Sequence, residues 1–416
     1  MAYELRLYDA YGTYKFNLDD FTSLEYSRKA NDLGIATVTI FGGDYDITDF
    51  QRDDRLEIYR IDKRKKTLVG NTCWFLRKHE VPIESDCSTT TVLTFYDTMH
   101  LLTRRVVAWS GRLAVGYVSH LLQTYDSMLH LIMYFNYGQG TTSEILNLSA
   151  LNTNVPSQNL RDLNGAALGT IQSWQFTPYG SVIADLSNRR LPITLPLPPN
   201  QSTLSGTQRF EHLTCLKAMQ DIANLSLLRG EKLYFDILYN PATTTSAATF
   251  EFRTWVNLRG SDRTFGNNVY IVGPQFGNLV DAAIVRDWES EATIAYVAGN
   301  GQDETKIYAS ARKSGVFNSP FYPIEIFGSE SFGDDTAAVH NLPEGVAAAQ
   351  VLLADNAASE TLTGTIINSD SLDFFVNIQP YDKIVAQFKD FQQFIYIDEY
   401  NVSVDDSGEE ITIPLG

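Results

Sequence analysis

Short alternations of apolar and polar residues, each broken by a turn signal, both open and close this chain, and they constrain its fold more than any other feature. Glu4-Leu5-Arg6-Leu7, Ala36-Thr37-Val38-Thr39-Ile40, Leu56-Glu57-Ile58-Tyr59 and Thr91-Val92-Leu93-Thr94-Phe95 repeat with period two, the signature of half-buried strands. Asn31-Asp32-Leu33-Gly34, Gly42-Gly43-Asp44 and the charged tip Asp62-Lys63-Arg64-Lys65-Lys66 separate them. Short strands at this spacing with no long helix between them predict an antiparallel barrel or sandwich, with the basic tip as a solvated hairpin turn.

Helical spacing enters in the middle of the chain. Leu113, Tyr117, Leu121, Tyr125 and Leu129 recur every four residues, with Leu122 and Ile132 widening the stripe, and predict a helix that Gly116 weakens at its start. His120 and His130 within it project from faces about 80 degrees apart, which disfavours a two-histidine metal site. A second amphipathic helix is expected over 211–227, closed by Gly230, with a strand over 232–237 after it. Between the two helices, residues 137–210 are nearly free of charge and read as an insertion, either packed on its neighbours or projecting toward a partner. Within it the prolines of Leu191 to Pro199 enforce extended chain.

Further strands are predicted over 249–255, 269–272, 282–287, 292–297 and 306–309, with Gly299-Asn300-Gly301 as the turn between the last two. A short Ala-rich helix follows over 344–355, and then a closing series over 362–367, 373–378, 384–388, 394–397 and 411–414. At 416 residues and 46.6 kDa the length predicts two to four domains. The three segments are 1–100, a first β-barrel domain; 101–275, an α/β region holding the 137–210 insertion; and 276–416, a second β-barrel-like domain with a helical insert near 312–358.

The function classes narrow by chemistry. With 32 Lys and Arg against 50 Asp and Glu, a net charge of −18 opposes binding to nucleic acid by phosphate neutralisation. The excess is uneven, because residues 301–416 carry 19 acids and 5 bases. No apolar run approaches the roughly 20 residues of a membrane helix, and the start lacks a signal peptide's pattern, so synthesis in the cytoplasm without membrane insertion is expected. Cys73, Cys87 and Cys215 have no metal-binding spacing; Cys73 and Cys87 flank a hairpin centred near Glu80 and are expected reduced. Phosphate-loop, nucleophile-elbow, zinc-protease and calcium-loop motifs are absent. Gly138-Gln139-Gly140 and Gly299-Asn300-Gly301 lack the third glycine of a dinucleotide loop. The acidic pairs Asp53-Asp54, Asp334-Asp335, Asp405-Asp406 and Glu409-Glu410 read as surface turns rather than glycosidase carboxylates. No catalytic, cofactor or metal residue is assigned, and no enzyme is expected.

The order of elements resembles the tail-hub proteins of long-tailed bacteriophages, siphovirus relatives of the contractile-tail baseplate hub. Ser27-Arg28-Lys29-Ala30-Asn31-Asp32-Leu33-Gly34 with the strand after it, Arg52-Asp53-Asp54-Arg55-Leu56-Glu57-Ile58-Tyr59-Arg60, and Trp74-Phe75-Leu76-Arg77 are similar to the family's opening. Leu228 to Phe235, the run Trp255-Val256-Asn257-Leu258-Arg259-Gly260-Ser261-Asp262-Arg263-Thr264, and Gly277-Asn278-Leu279 leading to Tyr296 to Gly301 resemble its middle. The family's basic residue after the glycine turn is replaced here by Gln302-Asp303-Glu304-Thr305-Lys306, and the 137–210 stretch has no counterpart.

The resemblance implies a mainly β fold with α/β inserts, two β-barrel-like domains, and a homotrimer forming a pseudo-sixfold ring. Its implied partners are the distal tail protein above, the tape-measure protein inside, tail-fibre or receptor-binding proteins below, and passing genomic DNA held without specific binding. The implied place is the virion tail tip, and the acidic last third then reads either as a solvated face or as a wall repelling DNA during ejection. Hubs of this kind often carry a C-terminal peptidase, lysozyme-like or fibre module; none is expected here, where residues 412–416 follow a strand directly. The alternatives are a hexameric distal tail or baseplate ring protein and a β-rich polysaccharide-degrading tail enzyme.

Overall fold

In the computed structural model the described residues are 2–41, 47–62, 65–81, 90–105, 107, 118–137, 193–196, 202–210, 213–266, 269–299, 306–313, 321–329, 342–367, 374–375 and 377–415. Their strands in chain order are β1 Ala2–Tyr8, β2 Tyr14–Asn17, β3 Phe21–Lys29, β4 Ile35–Phe41, β5 Arg55–Asp62, β6 Lys65–Leu68, β7 Trp74–Glu80, β8 Thr90–Tyr96, β9 Val118–Thr124, β10 Ile193–Thr194, β11 Ser205–Phe210 and β12 Leu233–Asn240. They continue with β13 Thr249–Val256, β14 Ile271–Val272, β15 Leu279–Asp287, β16 Ile294–Ala298, β17 Tyr308–Arg312, β18 Glu325–Ser329, β19 Ser359–Ile367, β20 Lys383–Phe388, β21 Phe391–Tyr396, β22 Glu399–Asp405 and β23 Gly408–Leu415. The helices are α1 His100–Thr103, α2 Tyr125–Tyr137, α3 Cys215–Leu228 and α4 Leu342–Asp355. The fold is mainly β, as the alternating pattern predicts.

The chain divides into two compact units, one of residues 1–226, 231–280 and 365–414, the other of 281–364 with 227–230 and 415–416. In the first unit the strands run β23-β22-β3-β4-β8-β7-β5-β1-β2, with β6 also paired to β5. The alternation dictates this sheet: Leu24, Tyr26 and Arg28 of β3, and Ala36, Val38 and Ile40 of β4, turn the same way and are buried. Side chains of β1 and β5, near one end of the order, reach β23 at the other, through Tyr3 and Arg60 to Glu409. The sheet therefore rolls back on itself, which protects strand edges that would otherwise invite pairing. A second core in this unit packs α2 and α3 with the β12–β13 hairpin, around Met128, Leu129, Ile132, Met219, Ile222, Phe235 and Phe252.

In the second unit, β16 lies between β17, antiparallel, and β18, parallel. One face of this sheet, Ala295, Val297 and Ala309, packs with Ala349 and Leu353 of α4. A Cβ on Gly328 of β18 would meet Leu352 Cδ2 at 2.9 Å, so the glycine lets the helix lie close.

Several expectations need correction. Among the described residues the predicted helix over 113–132 begins at Tyr125, because 118–124 form β9, whose Val118, His120 and Gln123 pair with Phe210, Gln208 and Gly206 of β11. Cross-strand hydrogen bonding outweighs the four-residue spacing there. The 373–378 segment makes a single bridge, Phe374 to Ile378, with Phe375 at φ 72°, a conformation that interrupts a strand. Strands that were not expected include β2, β6, β11, β18 and β22. Leu113, Tyr117, Gly42-Gly43-Asp44, Cys87, Gly138-Gln139-Gly140, Asp334-Asp335, most of the 137–210 insertion and parts of the tips at 62–66 and 299–301 lie outside the described residues.

Candidate functional site

The sequence runs that carried the resemblance turn out to hold the buried polar framework of the first unit. Arg28 follows Leu24 and Tyr26 on the inward face of β3, where burying a cation requires compensation. Its Nε donates to Asp97 Oδ2 at 3.1 Å, its Nη1 to the Gly70 carbonyl at 2.7 Å, and its Nη2 to both oxygens of Asp236 at 3.1 and 3.0 Å. Arg259 adds a second cation, donating from Nη2 to Asp236 Oδ2 at 2.5 Å. Burial raises the Asp236 carboxyl, but Arg28 and Arg259 outweigh it and hold the group below the usual carboxylate range. Burial dominates at Asp97 despite Arg28 and pushes it up to about 6.

The turn after β3 serves the same framework. Asn31, at φ 59°, donates from Nδ2 to the Leu233 carbonyl at 2.7 Å and accepts from the Phe235 amide at 2.8 Å, so its side chain pairs with β12 as a strand would. In the Trp255–Thr264 run, Asp382 accepts from the Ser261 amide at 2.7 Å, Arg263 Nε at 2.6 Å and the Gln379 amide at 3.0 Å. Gly260 is required by proximity, since a Cβ there would lie 2.5 Å from the Tyr381 carbonyl carbon and 2.6 Å from the Asp382 nitrogen. The run is a staple between β13 and β20.

Buried acids elsewhere collect tyrosines. Glu57 of β5 accepts from the hydroxyls of Tyr8 at 3.0 Å, Tyr59 at 2.8 Å and Tyr239 at 2.7 Å. Burial first, then the Glu57 charge, push Tyr8 up to about 12 and keep these phenols protonated donors. An acid between Leu56 and Ile58, and one between Phe235 and Ile237, were the available signals for this network.

The doublets within the described residues serve structure. Asp53 binds Arg77 and Arg104, and Asp54 accepts from Lys15 Nζ at 2.8 Å and the Gln51 amide at 2.8 Å. Asp405 caps the β22–β23 turn through the Ser407 amide at 2.7 Å, and Glu409 binds Arg60 and Tyr3. His120 lies on β9. His130 lies on α2, buried, with Nε2 3.2 Å from Thr254 Oγ1, and burial pushes it down to about 4. Cys73 and Cys215 are buried thiols, and burial raises the Cys73 thiol. Among the described residues no group of His, Cys, Asp and Glu could hold a metal, and no helix is long and apolar enough to cross a membrane.

Two surfaces and one cleft are left over. After Leu279 every residue of β15 is exposed, including Val280, Ile284 and Val285, and Trp288 just beyond it is 61% exposed. On the sheet of the second unit, the face away from α4 aligns Ser310, Tyr296 and Phe327 across three strands, with Phe327 62% exposed. Residues 281–364 hold 13 acids and 4 bases, a net of −9 and half the charge of the chain. Beyond that segment, Asp382, Asp398, Glu399 and Glu409 pair with Arg263, Lys232, Lys29 and Arg60 from earlier in the chain, while Glu360 within it pairs with Arg286. The cleft, of about 620 Å³, lies in the first unit beside Lys65, Trp255, Arg259 and Tyr381.

The sequence matches no protein-family model and no curated protein. Its fold nevertheless matches solved phage tail proteins along nearly its whole length. The 43 kDa tail protein of prophage MuSo2 from Shewanella oneidensis superposes on 100% of this chain and 98% of its own, with a TM-score of 0.52 at 8% identity. A tail protein from Neisseria meningitidis MC58 covers 100% and 96% at 10% identity with a TM-score of 0.49. Prophage tail protein gp18 from Listeria monocytogenes EGD-e covers 99% and 94% at 9% identity with a TM-score of 0.45. At these identities the likeness is one of fold: the chain is a mainly β protein with the fold of a phage tail protein.

Proposed function

We propose that this chain is a structural protein of a bacteriophage tail, and specifically the hub at its distal tip. The observation that carries the reading is the match in fold over the whole of this chain and 98% of the MuSo2 tail protein. In this reading three copies form a ring with pseudo-sixfold symmetry. Residues 1–100 and 276–416 supply the two barrel-like domains of each subunit, and 101–275 the α/β region between them. Both ends are rich in strands, β1 to β8 in the first segment and β15 to β23 in the last, and β22 and β23 of the last complete the rolled sheet of the first.

The ring joins the distal tail protein to the fibre or receptor-binding components and surrounds the tape-measure protein and the exiting DNA. The apolar residues exposed on β15 supply subunit contacts, because a strand bare on both faces gains from burial against another chain. The chain works without catalysis or cofactor, at the virion tail tip, after synthesis in the host cytoplasm. Net charge keeps DNA passage free of adhesion, with the −9 of residues 281–364 as the main source, given the ion pairing of Asp382, Asp398, Glu399 and Glu409 beyond it.

Gold-labelled antibody against the chain, applied to purified tails, tests the location. Label at one end of the tail tube, opposite the head, is expected. Label along the tube or at the head, or polysaccharide cleavage by the isolated chain, would overturn the hub reading.

A further inference from the structure

The cleft of the first unit contains a guanidinium whose hydrogen bonding is incomplete. Arg259 lies between the rings of Tyr381 and Trp255, with its central carbon 3.7 and 4.6 Å from their centroids, and its side chain is only 9% exposed. Nη2 is committed to Asp236. Nε and Nη1 have no acceptor among the described residues, and neither is sealed from solvent. Arginine is never deprotonated, so these N–H groups keep their charge and their need for an acceptor at every physiological pH.

The walls narrow the class of acceptor. Trp255, Tyr381 and Phe375 give the cleft apolar surface, and exposed Lys65 adds a cation to Arg259 and to Arg60, which is committed to Glu409, with Asp62 as the neighbouring acid on the same hairpin. A free inorganic anion would leave the aromatic walls wet, and a purely apolar ligand would leave Nε and Nη1 unpaired.

We propose that this cleft binds a carboxylate carried on an apolar or aromatic body. The carboxylate accepts from Arg259 and is drawn in by Lys65, while the body lies against Trp255 and Phe375. Both a small organic acid and the acidic end of a peptide have this chemistry. The proposal is independent of where in a virion the chain resides.

The test is calorimetric titration of the full chain with benzoate, N-acetylphenylalanine, the neutral amides of both, and inorganic phosphate. Each acid is expected to bind at least tenfold more tightly than its amide and than phosphate. Tighter binding of N-acetylphenylalanine than of benzoate assigns the site to peptide ends, and the reverse order assigns it to small acids. Lys65→Glu, at an exposed position, is expected to weaken the acids at least threefold with an unchanged unfolding curve, and Arg259→Gln to abolish the preference for acid over amide. Amides binding as well as acids, phosphate binding as well as benzoate, no binding at all, or no effect of Lys65→Glu would overturn the proposal.

Discussion

Arg60 and Glu409 stand 349 positions apart and meet in a bidentate ion pair, Nε to Oε1 at 2.8 Å and Nη2 to Oε2 at 2.8 Å, with side chains 5% and 6% exposed. Tyr3 donates to the same carboxylate. The pair joins strands near opposite ends of the sheet order, and so holds the rolled sheet closed at the point where the chain's two ends converge.

Removing one partner leaves the other charge buried without compensation. Arg60→Met is expected to destabilise the first unit by about 3 to 5 kcal/mol, and the double variant with Glu409→Met to recover most of that loss. Urea unfolding of the three proteins measures both values. Burial raises the Glu409 carboxyl, but Arg60 and Tyr3 hold it below its ordinary value, so its contribution is present at neutral pH and is lost as pH falls below the carboxylate range.

Two buried groups give opposing pH slopes. Asp97, raised by burial from 3.8 to about 6, binds more protons folded than unfolded, so its share of stability is present below pH 3.8 and is lost as pH rises to about 6. His130, lowered by burial from 6.5 to about 4, binds fewer, so its share is present above pH 6.5 and is lost as pH falls to about 4. Urea midpoints between pH 4 and 6.5 should rise more steeply with pH in Asp97→Asn than in the parent, and less steeply in His130→Leu.

Gly260→Ala must push apart the Trp255–Thr264 run and the Tyr381–Asp382 backbone, at an expected cost of about 1 to 3 kcal/mol. An unchanged thermal midpoint would show that the two segments separate freely.

Much of the first sheet was legible because alternation and burial coincide there: Leu5, Leu7, Val38, Ile40, Leu93 and Phe95 are all inward and buried. The β9–α2 boundary was not, since Leu121, Tyr125 and Leu129 fit a helix by spacing, while the partner that makes a strand of 118–124 lies at 205–210, with the insertion between them. β22 was missed because Glu399, Asn401 and Ser403 hide the inward Tyr400, Val402 and Val404 among polar neighbours. The cleft was out of reach for a similar reason, as Lys65, Arg259 and Tyr381 become neighbours only after the fold forms.

The exposed strand supplies a prediction about assembly. Val285→Asp and Trp288→Ser change surface residues, so unfolding free energy should shift by no more than about 0.5 kcal/mol. Incorporation of the chain into tails, read by quantitative blotting of purified particles, should fall sharply. Normal incorporation would remove β15 from the subunit contacts.

The most direct measurement is cryo-electron microscopy of tails that contain this chain, with its copies counted around the tail axis. The account predicts three copies closing the distal end of the tube, each presenting two barrel-like domains to the ring above. Six copies, a position off the axis, or absence of the chain from the tail would contradict it.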